Sequence, residues 1–420
     1  MKNTTRCRCC TGTRLEPVVD LGVVPLANAF LAAPAAGTST QKVRDDDEAR
    51  FPLAVLRCHD CGLLTLSVVV DPKLMFSDYP YVSGTSPTMV EHFGAYAKDI
   101  GERFAGSAGG GEALVVEIGS NDGTLLKQLP AGTRRLGIEP AANIAELART
   151  AGVPTTTAFF NAASAASIVS EYGKAKVLIG NNVIAHIDDL DDLAVAVTNL
   201  LDDDGVFVFE VPHALTMQEK VEFDTIYHEH LSYFSLRAVT AWLRRHGLEV
   251  FDVKQVSVHG GSIRVHAARA GKQQRNASVD DVVAAETAAG LDSGSGWKQF
   301  AARVAAIRTG LPRLLDQLRA DGARVAAYGA AAKGNTLLCT CGLDGRDLRY
   351  VVDKNPLKQG LLTPGSRLRV VSLEALQKEP VDVLLVLAWN FLPEIQQQLA
   401  RWRSGGGRFV VPLPQPQILP

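Results

Sequence analysis

Between Val115 and Leu126 the chain reads VVEIGSNDGTLL: an apolar run, an acid, a turn through Gly119 and Gly123, and an apolar return. A short apolar run of this kind is a buried strand, and the glycines let the backbone turn sharply into a helix start. Backbone N–H groups then point into the turn, so the segment predicts the ligand-binding edge of an α/β sheet. The chain beyond Leu126 repeats the theme. TRRLGIEP, Thr155 to Phe159, AKVLIGNNV and GVFVFEVPH read as further strands, separated by helical stretches such as AANIAELARTAG. That alternation argues a parallel sheet covered on both faces. LEVFDVKQVSV and GSIRVHAAR then arrive together across His259-Gly260-Gly261, as a hairpin does.

Three domains are expected: 1–75, 76–270 and 271–420. The first holds five of the seven cysteines and little helical periodicity. A helix is expected from Ser86 to Phe104, a polar linker from Gly271 to Ser295, and a second helix from Trp297 to Ala320. A second α/β unit then begins at ARVAAYGAAAKGNTLL and continues through LRYVVDKNP, VDVLLVLAW and GRFVVPLP. The chain of 420 residues carries 43 basic and 45 acidic side chains. Without a basic block, nucleic acid is not an expected partner. No apolar stretch is long enough for a membrane span, and MKNTTRCRCC lacks a signal-peptide core. A cytoplasmic protein with reduced thiols is therefore expected.

Cys7-x-x-Cys10 and Cys58-x-x-Cys61 form two pairs whose four thiolates suit tetrahedral zinc. Four protein ligands leave no open position, so the expected zinc is structural. Cys9 rivals its neighbours but is out of register, and the alternatives are a redox dithiol or buried thiols. Cys339 and Cys341 fall in a predicted helix and read as core.

The E-x-G-x-N-D-G form resembles the first motif of S-adenosylmethionine (SAM)-dependent methyltransferases. On that reading Glu117, Gly119, Asn121, Asp122 and Gly123 form the cofactor loop, and the helix start favours the SAM carboxylate. Glu139 ends the next strand, where an acid accepts hydrogen bonds from ribose hydroxyls. Phe159 and Phe160 are candidates to stack on adenine, and Asn181 and Asn182 end the fourth strand. Each has a plainer alternative: the turn suits NAD, Glu139 a solvated strand end, the two Phe a core. The order of the pieces favours SAM, and the G-x-G-x-x-G of NAD sites is missing.

DTIYHEHLSYFS places Tyr227, His228, Glu229 and His230 after the fifth strand. Histidine is a base near neutral pH, a carboxylate orients an imidazole, and a tyrosine hydrogen-bonds an oxyanion. The rival readings are a metal pair, His228 with His230, and a polar surface turn.

Taken together, the two C-x-x-C pairs, EIGSNDG, NNVIAHI, the Y-x-E-H tetrad, HGGSIR, YGAAAKGNTLL and VVDKNPLKQGLLTPG resemble the nucleotide-sugar C-methyltransferases over essentially the whole chain. The resemblance implies an N-terminal zinc-binding domain, a class I seven-stranded SAM methyltransferase domain and a C-terminal Rossmann-like α/β domain. It implies methylation at carbon 3 of a TDP-linked 4-keto-6-deoxy sugar, in deoxysugar and antibiotic biosynthesis. Carried over by position, His230 is the base, with Tyr227 and Glu229 beside it. His186 is a further active-site histidine. Tyr81, or alternatively Tyr79, reaches the sugar.

The ketone acidifies the hydrogen on its neighbouring carbon. His230 is expected to remove it while Tyr227, His186 or Tyr81 holds the enolate oxygen. In the C-terminal unit Gly329, Lys333, Gly334 and Asn335 form a phosphate-cradling turn, and Asp353 ends the next strand. These residues, with Gly261 and Ser262 of HGGS, are expected at the sugar nucleotide. The rivals for that turn are an NAD site and a domain retained for packing. For the whole chain they are carbon 5 methylation, an O- or N-methyltransferase, a zinc-dependent oxidoreductase, and a binding module without turnover.

Overall fold

The computed structural model describes residues 1–33, 48–76, 82–85, 87–105 and 113–419. In the N-terminal module β1 (Leu15–Pro25), β2 (Arg50–Cys58) and β3 (Leu64–Leu66) form an antiparallel sheet. Its outer strand comes from far along the chain: Ser232–Tyr233, just after the tetrad, pairs with Thr65 and Leu64 of β3. The segment that follows the tetrad is thus part of the module's sheet.

The expected helix after this module runs from Pro87 to Ile100 and ends in a wider turn, Gly101–Ala105. The central sheet contains β4 (Leu114–Ile118), β5 (Arg134–Ile138), β6 (Thr155–Thr156), β7 (Ala175–Asn181), β8 (Leu201–Pro212), β9 (Leu248–Val256) and β10 (Ser262–Arg269). Their order is β9-β10-β8-β7-β4-β5-β6, with β10 antiparallel to both neighbours and the other pairs parallel. This is the class I methyltransferase sheet. Every residue of β4 is buried, as a parallel strand covered on both faces requires. The order reverses between β4 and β7, so a crevice opens at their carboxyl ends.

The stretch expected as a linker, 271–295, instead contains the helix Ala277–Ala288. Alanine is its commonest residue, and Val279, Val282 and Glu286 are buried, so Gly and Ser at its flanks misled the composition argument. The long helix Ser295–Ala320 follows, with Pro312 inside it. It leads to β11 (Val325–Tyr328), β12 (Val351–Val352), β13 (Val370–Val371), β14 (Val383–Val386), β15 (Arg408–Val411) and β16 (Gln417–Leu419). Their order is β13-β12-β11-β14-β15-β16, parallel except for β16. That is the Rossmann order, with its own crevice between β11 and β14. No helix among the described residues is long and apolar enough to cross a membrane.

Candidate active site and metal centre

The sulfurs of Cys7, Cys10, Cys58 and Cys61 lie within 4.8 Å of one another. Cys7 and Cys61 are 3.4 Å apart, Cys10 and Cys58 3.5 Å. Zinc at a Zn–S distance of about 2.3 Å needs sulfurs about 3.8 Å apart, so this set fits the ion. Each pair sits on a turn closed by backbone, Thr11 N–H to Cys7 O and Gly62 N–H to Cys58 O, both 2.9 Å. Cys9 is fully buried and its thiol is pushed well up, first by burial, so it stays protonated beside the set. Cys339 and Cys341 lie in the helix Ala332–Cys341, against the core. Two arginines tie the module to the central domain: Arg8 donates to Asp188 at 3.0 Å, and Arg245 of the central domain donates to Cys9 O at 2.7 Å.

At the crevice of the central sheet, Gly119 and Gly123 have φ of +64° and +73°. A side chain at either would collide with Val183 or Val153. Asn121 is also left-handed, φ +51°, and its N–H donates to Glu139 Oε2 at 3.0 Å. Glu139 Oε1 accepts from Ala141 N–H at 2.9 Å, and burial raises its carboxyl. Asp122 turns back on Thr124, accepting its N–H at 3.2 Å and its hydroxyl at 2.5 Å. Asn181 donates to Glu117 Oε1 at 3.2 Å, and burial drives the Glu117 carboxyl well up. Glu117 Oε2, Asn181 Oδ1 and Asn182 Oδ1 are buried with no hydrogen bond among the described residues. Three such oxygens at a sheet edge, two of them amide acceptors, fit a ligand with donors to offer, and SAM carries an ammonium and ribose hydroxyls. Phe160 packs partly against the core, while Phe159 is 61% exposed, an open ring at the end of β6.

The tetrad is folded inward rather than lying as a surface turn. His228 and Glu229 are buried, and Tyr227 and His230 half-buried. The Tyr227 hydroxyl lies 2.9 Å from His230 Nε2, and His230 Nδ1 lies 2.9 Å from the Thr225 carbonyl. A carbonyl only accepts, so Nδ1 carries the proton and Nε2 presents its lone pair. His186, in the short turn Ile184–His186, sets its ring edge-on to His230 with centroids 5.0 Å apart. Burial lowers its pKa to about 4, so it is neutral near pH 7. His228 points elsewhere: Nε2 bonds the Pro52 carbonyl at 3.2 Å, and the ring meets Phe51. The two imidazoles of the tetrad therefore do not share a metal; His228 docks the loop on β2. Glu229 Oε1 accepts from Asn28 at 2.7 Å, and burial pushes its carboxyl up to about 7. Tyr79 and Tyr81 lie outside the described residues.

Gly261 (φ +148°) has no room for a side chain beside Thr216, and Ser262 is buried, donating to Val258 O at 3.1 Å. At the second crevice Gly329 has φ +97° and lies against Ala388. Gly334 lets its helix approach Leu387. Lys333 Nζ sits 4.5 Å over Trp389 and 3.4 Å from Asn390 Oδ1. Asp353 accepts from the N–H groups of Ala330 and Asn355 at 2.7 and 2.8 Å. Asn335 is used between domains, donating to Ala27 O at 2.8 Å.

Sequence reasoning missed Asn28, Lys358 and the pair Glu222 and Asp224, whose partners come from other domains. It also missed Glu210, which accepts from Arg264 at 2.7 Å and pairs with His92 at 2.8 Å. Burial alone would raise Glu210, but His92 and Arg264 hold it low. The continuous apolar run of β8, interrupted by Glu210, marks an acid inside a buried strand, a legible signal.

Residues 7–76 match the family model of a zinc binding domain, 89–253 that of a methyltransferase domain, and 257–414 that of a C-methyltransferase C-terminal domain. The C-methyltransferase NovU of Streptomyces niveus is 37% identical over 419 residues, 98% of this chain and 96% of its own. Among solved structures, magnesium protoporphyrin IX methyltransferase of Synechocystis with bound SAM aligns at 13% identity over 44% of this chain and 79% of that one, TM-score 0.31. A SAM-dependent methyltransferase of Thermotoga maritima aligns at 14% identity over 44% and 89%, TM-score 0.32.

Proposed function

The chain belongs to the C-methyltransferases, SAM-dependent enzymes with an N-terminal zinc-binding domain, and from that premise we propose that it methylates carbon 3 of a TDP-linked 4-keto-6-deoxy sugar. The observation that carries the mechanism is the ring of His230. Its Nδ1 proton is committed to Thr225 O, so Nε2 is the basic nitrogen, and the Tyr227 hydroxyl lies against it.

A carbon acceptor has no lone pair and must be made nucleophilic. A ketone at carbon 4 does this once a base removes the hydrogen on carbon 3. His230 Nε2 takes that proton and becomes imidazolium. His186, neutral and 5.0 Å away, adds no positive charge to oppose it. Tyr227 turns its hydroxyl proton from Nε2 to the developing enolate oxygen, where a hydrogen bond strengthens as charge builds. Bound SAM supplies an electrophilic methyl group on sulfur. Glu117, Glu139, Asn181 and Asn182 are the residues that would hold it at the crevice of the central sheet. The cysteine cluster takes no part; it fixes β3, against which Ser232–Tyr233 pair.

The sugar nucleotide is supported by the motif likeness and by Lys333 at a helix start beside the second crevice. The test is incubation with SAM and TDP-4-keto-6-deoxyglucose in deuterated water. The expected product gains one methyl on carbon 3, and recovered substrate carries deuterium at that carbon. A methyl on oxygen or nitrogen, or on carbon 5, would overturn the assignment.

A further inference from the structure

Six residues of the N-terminal module, Ala27 to Ala32, run as a strap between the tetrad and the C-terminal domain. Ala27 O accepts from Asn335 at 2.8 Å. Asn28 Nδ2 donates to Glu229 Oε1 at 2.7 Å. Phe30 lies under Lys358, ring centroid to Nζ 5.2 Å. Leu31 and Ala32 pair antiparallel with Leu362 and Leu361. Lys358 in turn donates to Ala330 O at 2.8 Å, in the turn that precedes Lys333. Its charge acts on Glu229 from one side and on Asp353 from the other.

Glu229 therefore receives one amide from the first domain and the field of one ammonium from the third. Its own loop adds His228 and His230, and His186 bonds its backbone. Oε1 is taken by Asn28, whereas Oε2 has no hydrogen bond among the described residues. We infer that Asn28 and Lys358 are positioning residues, which hold Glu229 as an oriented carboxylate with Oε2 turned to a hydroxyl or amino group of the acceptor.

The physical reason is the burial of Glu229. A carboxyl 5% exposed favours its neutral form, and at about 7 it stands near even between the two. A neutral carboxyl would present a proton where the acceptor needs an acceptor oxygen. The amide and the ammonium both favour the anion, and each comes from a domain that must be docked for the site to be complete. The role toward the sugar rests on the acceptor proposed above; the control of Glu229 does not.

Infrared pH titration of the full-length, zinc-loaded protein, taken as the difference from a Glu229→Gln counterpart in each background, follows this carboxyl alone. Asn28→Ala and Lys358→Met should each raise its midpoint by about one pH unit. With TDP-4-keto-6-deoxyglucose the acidic limb of kcat/KM should move up equally, a loss of about 5-fold at pH 7 that recovers by about pH 9. Lys358→Arg should retain the wild-type profile, and SAM affinity should not change in any variant. Unmoved infrared midpoints in both variants would overturn the inference, as would a fall in activity equal at every pH. If the wild type does not turn this sugar over, the infrared arm still decides the control of Glu229, and the failure belongs to the sugar.

Discussion

In the central sheet Glu139 follows β5 and accepts the N–H of Asn121, from the turn after β4, and that of Ala141, two residues on. In the C-terminal sheet Asp353 follows β12 and accepts the N–H of Ala330, from the turn after β11, and that of Asn355, two residues on. The two halves brace their first turn with the same pair of hydrogen bonds. They differ in the groups left facing the crevice. The first leaves the amide acceptors Asn181 Oδ1 and Asn182 Oδ1, beside the buried carboxyl of Glu117. The second gathers cations, Lys333 over Trp389 and Lys358 on Ala330 O. Acceptors suit a cationic, hydroxyl-bearing donor such as SAM, whereas cations at a helix start suit phosphate. Strand order and glycines make a crevice, and the sign of its lining decides the ligand.

If the chemistry belongs wholly to the first half, His230→Asn should give the largest effect. It should lower kcat by about 10²- to 10⁴-fold, with SAM affinity by calorimetry unchanged. Turnover above a tenth of wild type would take the base elsewhere. The braced acids offer a matched pair. Glu139→Ala should weaken SAM binding by about 10- to 100-fold, since it removes hydrogen bonds to a charged group beside the ligand. Asp353→Ala should leave SAM affinity within about twofold and raise KM for the sugar nucleotide about 10-fold. Equal losses of SAM affinity in both would show that the two crevices are not separate sites.

The contrast between the halves also marks how much could be read from residues alone. EIGSNDG, the strand alternation and the C-x-x-C register report local geometry, and the sheets and the cysteine cluster follow from them. Asn28 and Lys358 gave no such signal, because their meaning lies in a partner 201 residues away in one case and in the field of another domain in the second. A single asparagine in PLANAF has no periodicity to distinguish it. His228 was legible as one of four polar residues but not as the structural one, since only its bond to Pro52 O separates it from His230. The helix Ala277–Ala288 was lost to its polar flanks.

The seam where the halves meet supplies the smallest test. Trp389, from the loop after β14, donates to Asp224 Oδ2 at 2.7 Å. Glu222, beside it, has almost no room at Gly260 and is 2% exposed. Burial pushes Glu222 up to about 7; Lys333 from the second half and Lys220 oppose this, and Asp224 adds to it. Its unfolded value is 4.5, so between 4.5 and about 7 the folded protein binds more protons than the unfolded chain. Stability therefore falls as pH rises through that window and is level above it. His186 acts in the opposite sense, with stability lost as pH falls from 6.5 to about 4. Urea unfolding of Glu222→Gln against wild type isolates the glutamate, because His186 is common to both. The difference should be near zero below about pH 4.5 and grow to a plateau above about pH 7 whose ceiling is about 3.4 kcal/mol. Lys333→Met should steepen the wild-type fall, since it removes the cation that eases the burial of Glu222. Curves that stay parallel across the window would mean that the two halves meet here without electrostatic contact, and the cations of the second crevice would then answer only to their own domain.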